Sequence, residues 1–405
     1  MSIADPSVTV PTARRLWLYG LLAISGWLIG AISQLAHGWW LIGPGGQPLD
    51  SNYVTIWAAG RMALAGQAAA SYAPPAIAAV ESALVPGLTP LPWLNPPTFL
   101  LAAAPLALLP YLWSCVVWLL VTGACYVAAV RAILPYRLGV VLAFAAPAAY
   151  VNLVMTETGF ADAALIGAAL LCLPSRPILV GIALGLQTFK PQLGLLFPLI
   201  LLAAGQWRAF ASAAIAALLL AGATAALFGA DAWTAFLTAA PGIGSTATGT
   251  RAAVSGTYVD WPDIQSWYSV ARYLGAGALA GWVFYGLTVA ALAGVLCWFW
   301  RGPAAPSLKA AAVATGCFLA TPYVMAHDAT ILVVAAAFLV RHGIAEGFRR
   351  GDVELCGLTL FAPLFPLFIH GSVPLMPAVA TALLMRILHR PDYLRNASSS
   401  TATAG

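Results

Sequence analysis

The run RRLWLYGLLAISGWLIGAISQLA, residues 14–36, decides the class of fold. Two arginines stand before an apolar stretch, 16–36. As a helix it would rise about 30 Å, which matches the hydrocarbon core of a bilayer. A cleaved leader has the same order of parts, but its apolar core is only about 7–15 residues long. The stretch therefore reads as an uncleaved first span with Arg14 and Arg15 inside.

The pattern continues outward from there. Apolar residues make up 61% of the chain and charged residues 8%, against about 25% charged in a soluble domain. Further apolar runs fall near 97–110, 112–131, 138–155, 160–173, 178–189, 191–205, 209–228, 276–300, 309–322, 329–341, 354–370 and 373–388. They do not alternate with period two, so a barrel is excluded in favour of helices. The six cysteines form no C-x-x-C pair and read as small packing residues. The expected layout is a cytoplasmic N-terminus at 1–15, one membrane domain at 16–390 and a disordered cytoplasmic tail at 391–405.

Charge then orients the spans. Run 97–110 gives only about 21 Å of helix, contains Pro105 and ends at Pro110. If it crosses, Arg131, Arg137, Arg176, Arg208, Arg301, Lys309, Arg341, Arg349 and Arg350 all become external. The positive-inside rule makes it a juxtamembrane or re-entrant helix and leaves about 12 crossings, with both termini inside. Roughly 14 basic residues then face the cytoplasm. The outer side keeps Arg61, Lys190, Arg251 and Arg272, with Asp50, Glu81, Glu157, Asp162, Asp231, Asp260, Asp263 and Asp328. Loops 37–95 and 229–275 are both external and rich in Trp, Tyr, Gly and Pro, which suits interfacial segments.

Chemistry is sought on that outer side. Asp50-Ser51-Asn52-Tyr53 opens a constellation that runs through Trp57, Arg61, Gly66 and Tyr72. Asp50 suits a general base at the membrane surface, or a helix N-cap. Asn95-Pro96-Pro97 heads the short run and suits a helix start. Lys190, in Thr188-Phe189-Lys190-Pro191-Gln192, breaks the positive-inside pattern; an ammonium there fits a phosphate-bearing ligand or a snorkelling helix end. Thr321-Pro322-Tyr323 leads to His327-Asp328. Adjacent side chains on a helix point about 100° apart, so these two are expected not to act on each other directly. His327 suits catalysis, a metal or an interfacial cap, with no ligand spacing that argues for metal. Glu157 and Asp162, near Asn152, are candidates to line the outer cavity, and His37 and His370 read as interfacial. Asp260-Trp261-Pro262-Asp263, with Gln265-Ser266-Trp267-Tyr268 and Arg272, has carboxylates, amides and rings that suit a sugar or an interfacial helix. No phosphate-loop, zincin, nucleophile-elbow or dinucleotide motif occurs. ATP-driven transport and nucleic-acid binding have no support.

Taken in order, these segments resemble glycosyltransferase family 87, the polyprenol-phosphate-mannose-dependent α-1,2-mannosyltransferases. The matching pieces are Asp50 to Tyr72 with Ala58, Leu64 and Gly66, then Asn95-Pro96-Pro97 with Pro105-Leu106 and Leu109-Pro110. Phe189-Lys190-Pro191-Gln192 comes next, then Trp207-Arg208, Gln265-Ser266, Thr321-Pro322-Tyr323 and His327-Asp328. Glu157-Thr158-Gly159-Phe160 departs from the Gly-Gln often found at that place. The resemblance implies an all-α polytopic membrane protein of the GT-C type, with about 12 transmembrane helices and juxtamembrane helices besides. It implies an inverting hexosyltransferase on the outer face of the cytoplasmic membrane. A polyprenyl-phosphate sugar, mannose in this family, would be moved to a lipid-linked or glycan acceptor, with no cofactor and with the need for a divalent metal left open. Asp50 takes the role of general base, and Lys190 and His327 contact the donor phosphate. Asp328, Glu157 and Gln265 line the cavity, with Tyr53 and Arg61 as further substrate-binding candidates. The rival readings are a secondary transporter, for which no internal repeat is found, and another polyprenyl-lipid-dependent polysaccharide enzyme.

Overall fold

The computed structural model describes residues 6–37, 52–87, 90–135, 137–247, 264–364 and 374–389. Asp50, Asp260, Asp263, His370 and the expected tail at 391–405 lie outside the described residues. All regular structure among the described residues is helical. The order is α1 (Pro6–Ala36), α2 (Tyr53–Leu64), α3 (Pro74–Leu84), α4 (Leu100–Leu106), α5 (Tyr111–Ile133), α6 (Arg137–Ala145), α7 (Pro147–Met155), α8 (Gly159–Cys172) and α9 (Pro177–Leu186). Then come α10 (Phe197–Ala203), α11 (Trp207–Phe228), α12 (Ala230–Ala247), α13 (Trp267–Tyr273), α14 (Ala278–Arg301), α15 (Pro306–Leu319), α16 (Thr330–Glu346), α17 (Asp352–Phe361) and α18 (Met376–Leu388).

Length separates these helices into two kinds. Among the described residues, four segments are long and apolar enough to cross a membrane: Tyr111–Ile133, Trp207–Phe228, Ala278–Arg301 and Ala326–Glu346. A fifth arises if α6 and α7, bent by 59° at their junction, count as one. The other apolar runs are helices of 10–17 residues. The runs are shortened by proline, which stands in the first turn of α3, α7, α9 and α15. There its missing N–H is no loss, but the preceding residue leaves the helix.

Close contacts fix the relative directions. Trp118 Nε1 donates to Glu157 O at 3.1 Å, and a Cβ on Gly167 would meet Ile133, so α5 and α8 run parallel. Thr330 Oγ1 donates to Gly159 O at 2.7 Å and Arg341 to Ile133 O at 3.1 Å, so α16 shares that direction. Ser307 meets His342 at 3.3 Å and Tyr285 donates to Ala320 O at 2.7 Å, which makes α15 antiparallel to both α16 and α14. Gly181 abuts Ser212 and Gly185 abuts Ala216, so α9 and α11 are parallel. Arg301 Nε donates to Ala203 O at 3.3 Å, and Lys309 lies over the Trp300 ring. Arg301, Lys309 and Arg341 thus belong to one end of the bundle, and Glu157, Asp162, Lys190 and Asp328 to the other. The core is built on α16, whose apolar window is 83% buried, while α11 is peripheral at 6%. Such an all-round apolar helix with an uncovered surface suits lipid contact.

A second, smaller core sits at the acidic end. It joins α2, α3, α4, the first turns of α5, Phe189 and Ala232 of α12. Tyr72 and Phe236 bring the two long loops together, with ring centroids 5.7 Å apart. Segment 97–110 belongs to this layer. A 3-10 turn, Pro97–Phe99, leads into α4, whose seven residues rise only about 10 Å. α4 lies against α2 at Gly60, where any Cβ would overlap Ala103 O.

Candidate functional site at the acidic end of the bundle

The site begins in the turn between α7 and α8. Thr156 takes φ 52° and ψ 52°, a left-handed conformation that strains a β-branched residue. The turn lets Glu157 N donate back to Asn152 O at 3.1 Å, and α8 then starts afresh at Gly159. Thr156→Gly removes that strain and a buried hydroxyl that has no partner. It is expected to be neutral or to stabilise by up to about 1 kcal/mol, read as the melting temperature in detergent. A large loss instead would show that the Thr156 side chain itself holds the turn.

A second turn, Ala326–Ala329, faces the first. Met325 N donates to Asp328 Oδ2 at 2.9 Å, which folds the carboxylate back over the start of its own helix. Its other oxygen thereby comes within 3.5 Å of His327 Nε2. The expectation that these neighbours do not act on each other is therefore overturned, because the capping carboxylate turns back toward the ring. His327 Nε2 also lies 3.6 Å from Glu157 Oε2.

The third piece is the break between α9 and α10, where Lys190 stands between two 3-10 turns, Gln187–Phe189 and Pro191–Gly194. Its Nζ lies 2.5 Å from Asp328 Oδ1 and 3.5 Å from Asp162 Oδ2, and donates to Thr158 Oγ1 at 3.1 Å. Asp162 accepts from Thr158 Oγ1 at 2.9 Å and from Gln187 Nε2 at 2.7 Å. Burial alone would push the Lys190 ammonium down. The carboxylates of Asp328, Asp162 and Glu157 outweigh it and hold the ammonium above its ordinary range.

Asp162, Lys190, Asp328, His327 and Glu157 thus form one chain of contacts, every member buried. Asn52 completes it by donating through Nδ2 to Glu157 Oε1. The motifs read from sequence meet in the same way. Tyr72 donates to Asn95 O at 2.8 Å, Phe99 stacks on Phe189 at 4.8 Å, Thr321 donates to Gln192 O at 3.1 Å, and Gln265 N donates to Val324 O at 2.7 Å.

The other candidates lie around this chain. Gln265 is buried beside the His327 turn. Tyr53 engages its hydroxyl with Ser114 Oγ at 2.7 Å, within the second core. Arg61 is exposed, with its guanidinium 5.6 Å from the Trp57 ring centre. Asn52, Thr158 and Gln187 were not singled out from sequence, and Asp162 only as a lining residue. Thr158 and Asp162 stand at i and i+4, hence on one helix face, which is the signal that could have found the pair. Among the described residues no three His, Cys, Asp or Glu side chains are grouped to hold a metal.

Fold and site together define a helical membrane protein with a buried, carboxylate-rich polar cluster at one end of its bundle. The family model of glycosyltransferase family 87 matches residues 93–322, more than half of the chain, and the chain belongs to that family. It is therefore a transferase that works with a sugar donor and an acceptor. No curated protein and no solved structure matches it. The matched segment contains Glu157, Asp162, Lys190 and Gln265; it begins after Asp50 and ends before His327.

Proposed function

We propose that the protein moves mannose from a polyprenyl-phosphate donor to a lipid-linked or glycan acceptor of the cell envelope. Transfer takes place with inversion, on the outer face of the cytoplasmic membrane, in a GT-C type fold with about 12 crossings. One contact carries this reading. Asn52 bonds to Glu157, and so the chain two residues past Asp50 lies on the His327–Asp328–Lys190 cluster.

Asp50 takes the proton of the acceptor hydroxyl as that oxygen attacks the anomeric carbon. The phosphate leaves from the opposite face through an oxocarbenium-like state, so one base suffices. Its developing charge is met by His327 and by an arginine of the same end. Glu157, Gln265 and Asp328 shape the cavity around the sugar. The end that holds Arg301, Lys309 and Arg341 faces the cytoplasm by the positive-inside rule. A transporter would place its site near the midplane, between repeats, whereas this cluster sits where α8 and α16 begin and α9 ends.

The test supplies labelled polyprenyl-phosphate mannose to membranes with and without the protein. Label in a new glycolipid or glycan only where the protein is present is the expected result. Transfer from a different polyprenyl-phosphate sugar would keep the mechanism and change the substrate. No transfer from any such donor would overturn the reading in favour of transport.

A further inference from the structure

The Lys190 ammonium has three protons to give, and three acceptors surround it: Asp328 Oδ1, Thr158 Oγ1 and Asp162 Oδ2. Its side chain is 8% exposed and those of Asp328 and Asp162 are wholly buried. A donor phosphate that used Lys190 would have to displace a buried carboxylate. It would then face the displaced group and its neighbours at close range, a like-charge approach that a low-dielectric site strengthens. Sequence alone offers a lone outer lysine to a phosphate-bearing ligand or to a snorkelling helix end; in the structure its ammonium already donates to Asp328 and Thr158 and stands 3.5 Å from Asp162.

We propose that Lys190 is a positioning residue that does not touch the donor phosphate and acts on transfer only by holding Asp328 against His327. Lys190 is the cation that pairs with both buried carboxylates, so removing it alone leaves unpaired buried charge. The Asp328 oxygen that Lys190 holds at 2.5 Å is the one that lies 3.5 Å from His327 Nε2, so fixing that oxygen fixes its place beside the imidazole. The charged groups facing His327 are Glu157 from the α7–α8 turn and Asp328 from its own turn. Lys190 stands behind Asp328, and Asp162 of α8 behind Lys190.

The proposal rests on the transferase reading above for its kinetic arm only. The experiment compares the full chain, Lys190→Met, and the charge-balanced pair Lys190→Met with Asp162→Asn. Lys190→Met alone is expected to lower the melting temperature clearly, and the second change to restore most of it. In the pair, the donor KM and the inhibition by sugar-free polyprenyl phosphate should stay near the wild-type values. Its kcat should fall by up to about 10²-fold, as for a displaced catalytic constellation. A rise of about tenfold or more in donor KM, with matching loss of inhibition by the sugar-free lipid phosphate, would assign Lys190 to the phosphate and overturn the proposal. A Lys190→Met protein that melts like wild type would overturn it as well. If the pair does not fold, Lys190→Met with Asp328→Asn supplies the same melting comparison. A wild type that transfers no hexose would sink the proposed function, while the melting comparison would still decide the role of Lys190.

Discussion

Asp50→Asn is expected to abolish hexose transfer, with a loss of about 10²–10⁴-fold, the range for removal of a general base. The amide keeps the size of the side chain and one acceptor oxygen but cannot take a proton at neutral pH. Protein amount and melting temperature should therefore not change. Position in the chain is the reason for the choice: Asn52, two residues on, is bonded to Glu157, and Glu157 faces His327. The measurement is turnover of labelled donor in membranes, normalised to the amount of folded protein. Full activity in Asp50→Asn would remove Asp50 from the role. The next candidate would be Glu157, the carboxylate that Asn52 contacts, and Glu157→Gln would then have to show the loss instead.

The helical membrane class was legible because 61% apolar and 8% charged residues cannot cover a soluble surface and the apolar runs do not alternate with period two. The opposite ends of the bundle were legible from charge, since Arg301 and Arg341 are neighbours of Ala203 and Ile133 while Glu157 and Asp162 lie where α8 begins. The lengths of the elements were not. A run such as 138–155 looks continuous in hydropathy, yet Pro147 splits it into α6 and α7 with a bend of 59°. Hydropathy averages over such a break, whereas backbone geometry does not. Run 97–110 likewise hides the packing of α4 on α2, which depends on the single missing side chain of Gly60.

The site was half legible. Lys190 stood out as a cation between two apolar runs, and a buried ionisable group is a site hypothesis by default. Its partners could not be read, because Asp328 is 138 residues away and periodicity carries no information at that range. Local geometry also misled. The 100° rule for neighbours holds along a regular helix, but Asp328 caps the start of its own turn through Met325 N. A capping carboxylate bends toward the N-terminus of the helix, and His327 is what it meets there. From sequence the Glu157-Thr158-Gly159 stretch shows a departure from the family pattern and, in Glu157 alone, a cavity-lining candidate. In the structure each of its residues has work of its own: Glu157 faces His327, Thr158 bridges Lys190 and Asp162, and Gly159 lets the two turns touch.

A Cβ on Gly159 would overlap His327 O, and would lie 2.7 Å from Asn152 Oδ1 and 3.0 Å from Thr330 Oγ1. The first obstacle is backbone, so no side-chain rotation relieves it; α8 and the His327 turn must move apart. Gly159→Ala is therefore expected to cost about 1–3 kcal/mol, the usual range for overpacking. It should lower transfer by up to about 10²-fold, because the Glu157–His327 and Lys190–Asp328 contacts span the same gap. Gly26→Ala in α1 is the matched control, since nothing lies within 4 Å of its Cβ position. There the helix propensity of alanine should leave stability unchanged or raise it by up to about 1 kcal/mol. Melting and turnover measured on both variants separate a general intolerance of bundle glycines from a specific need at position 159. Equal behaviour of the two would mean that the turns around His327 can separate without consequence, and that the cluster does not depend on their contact.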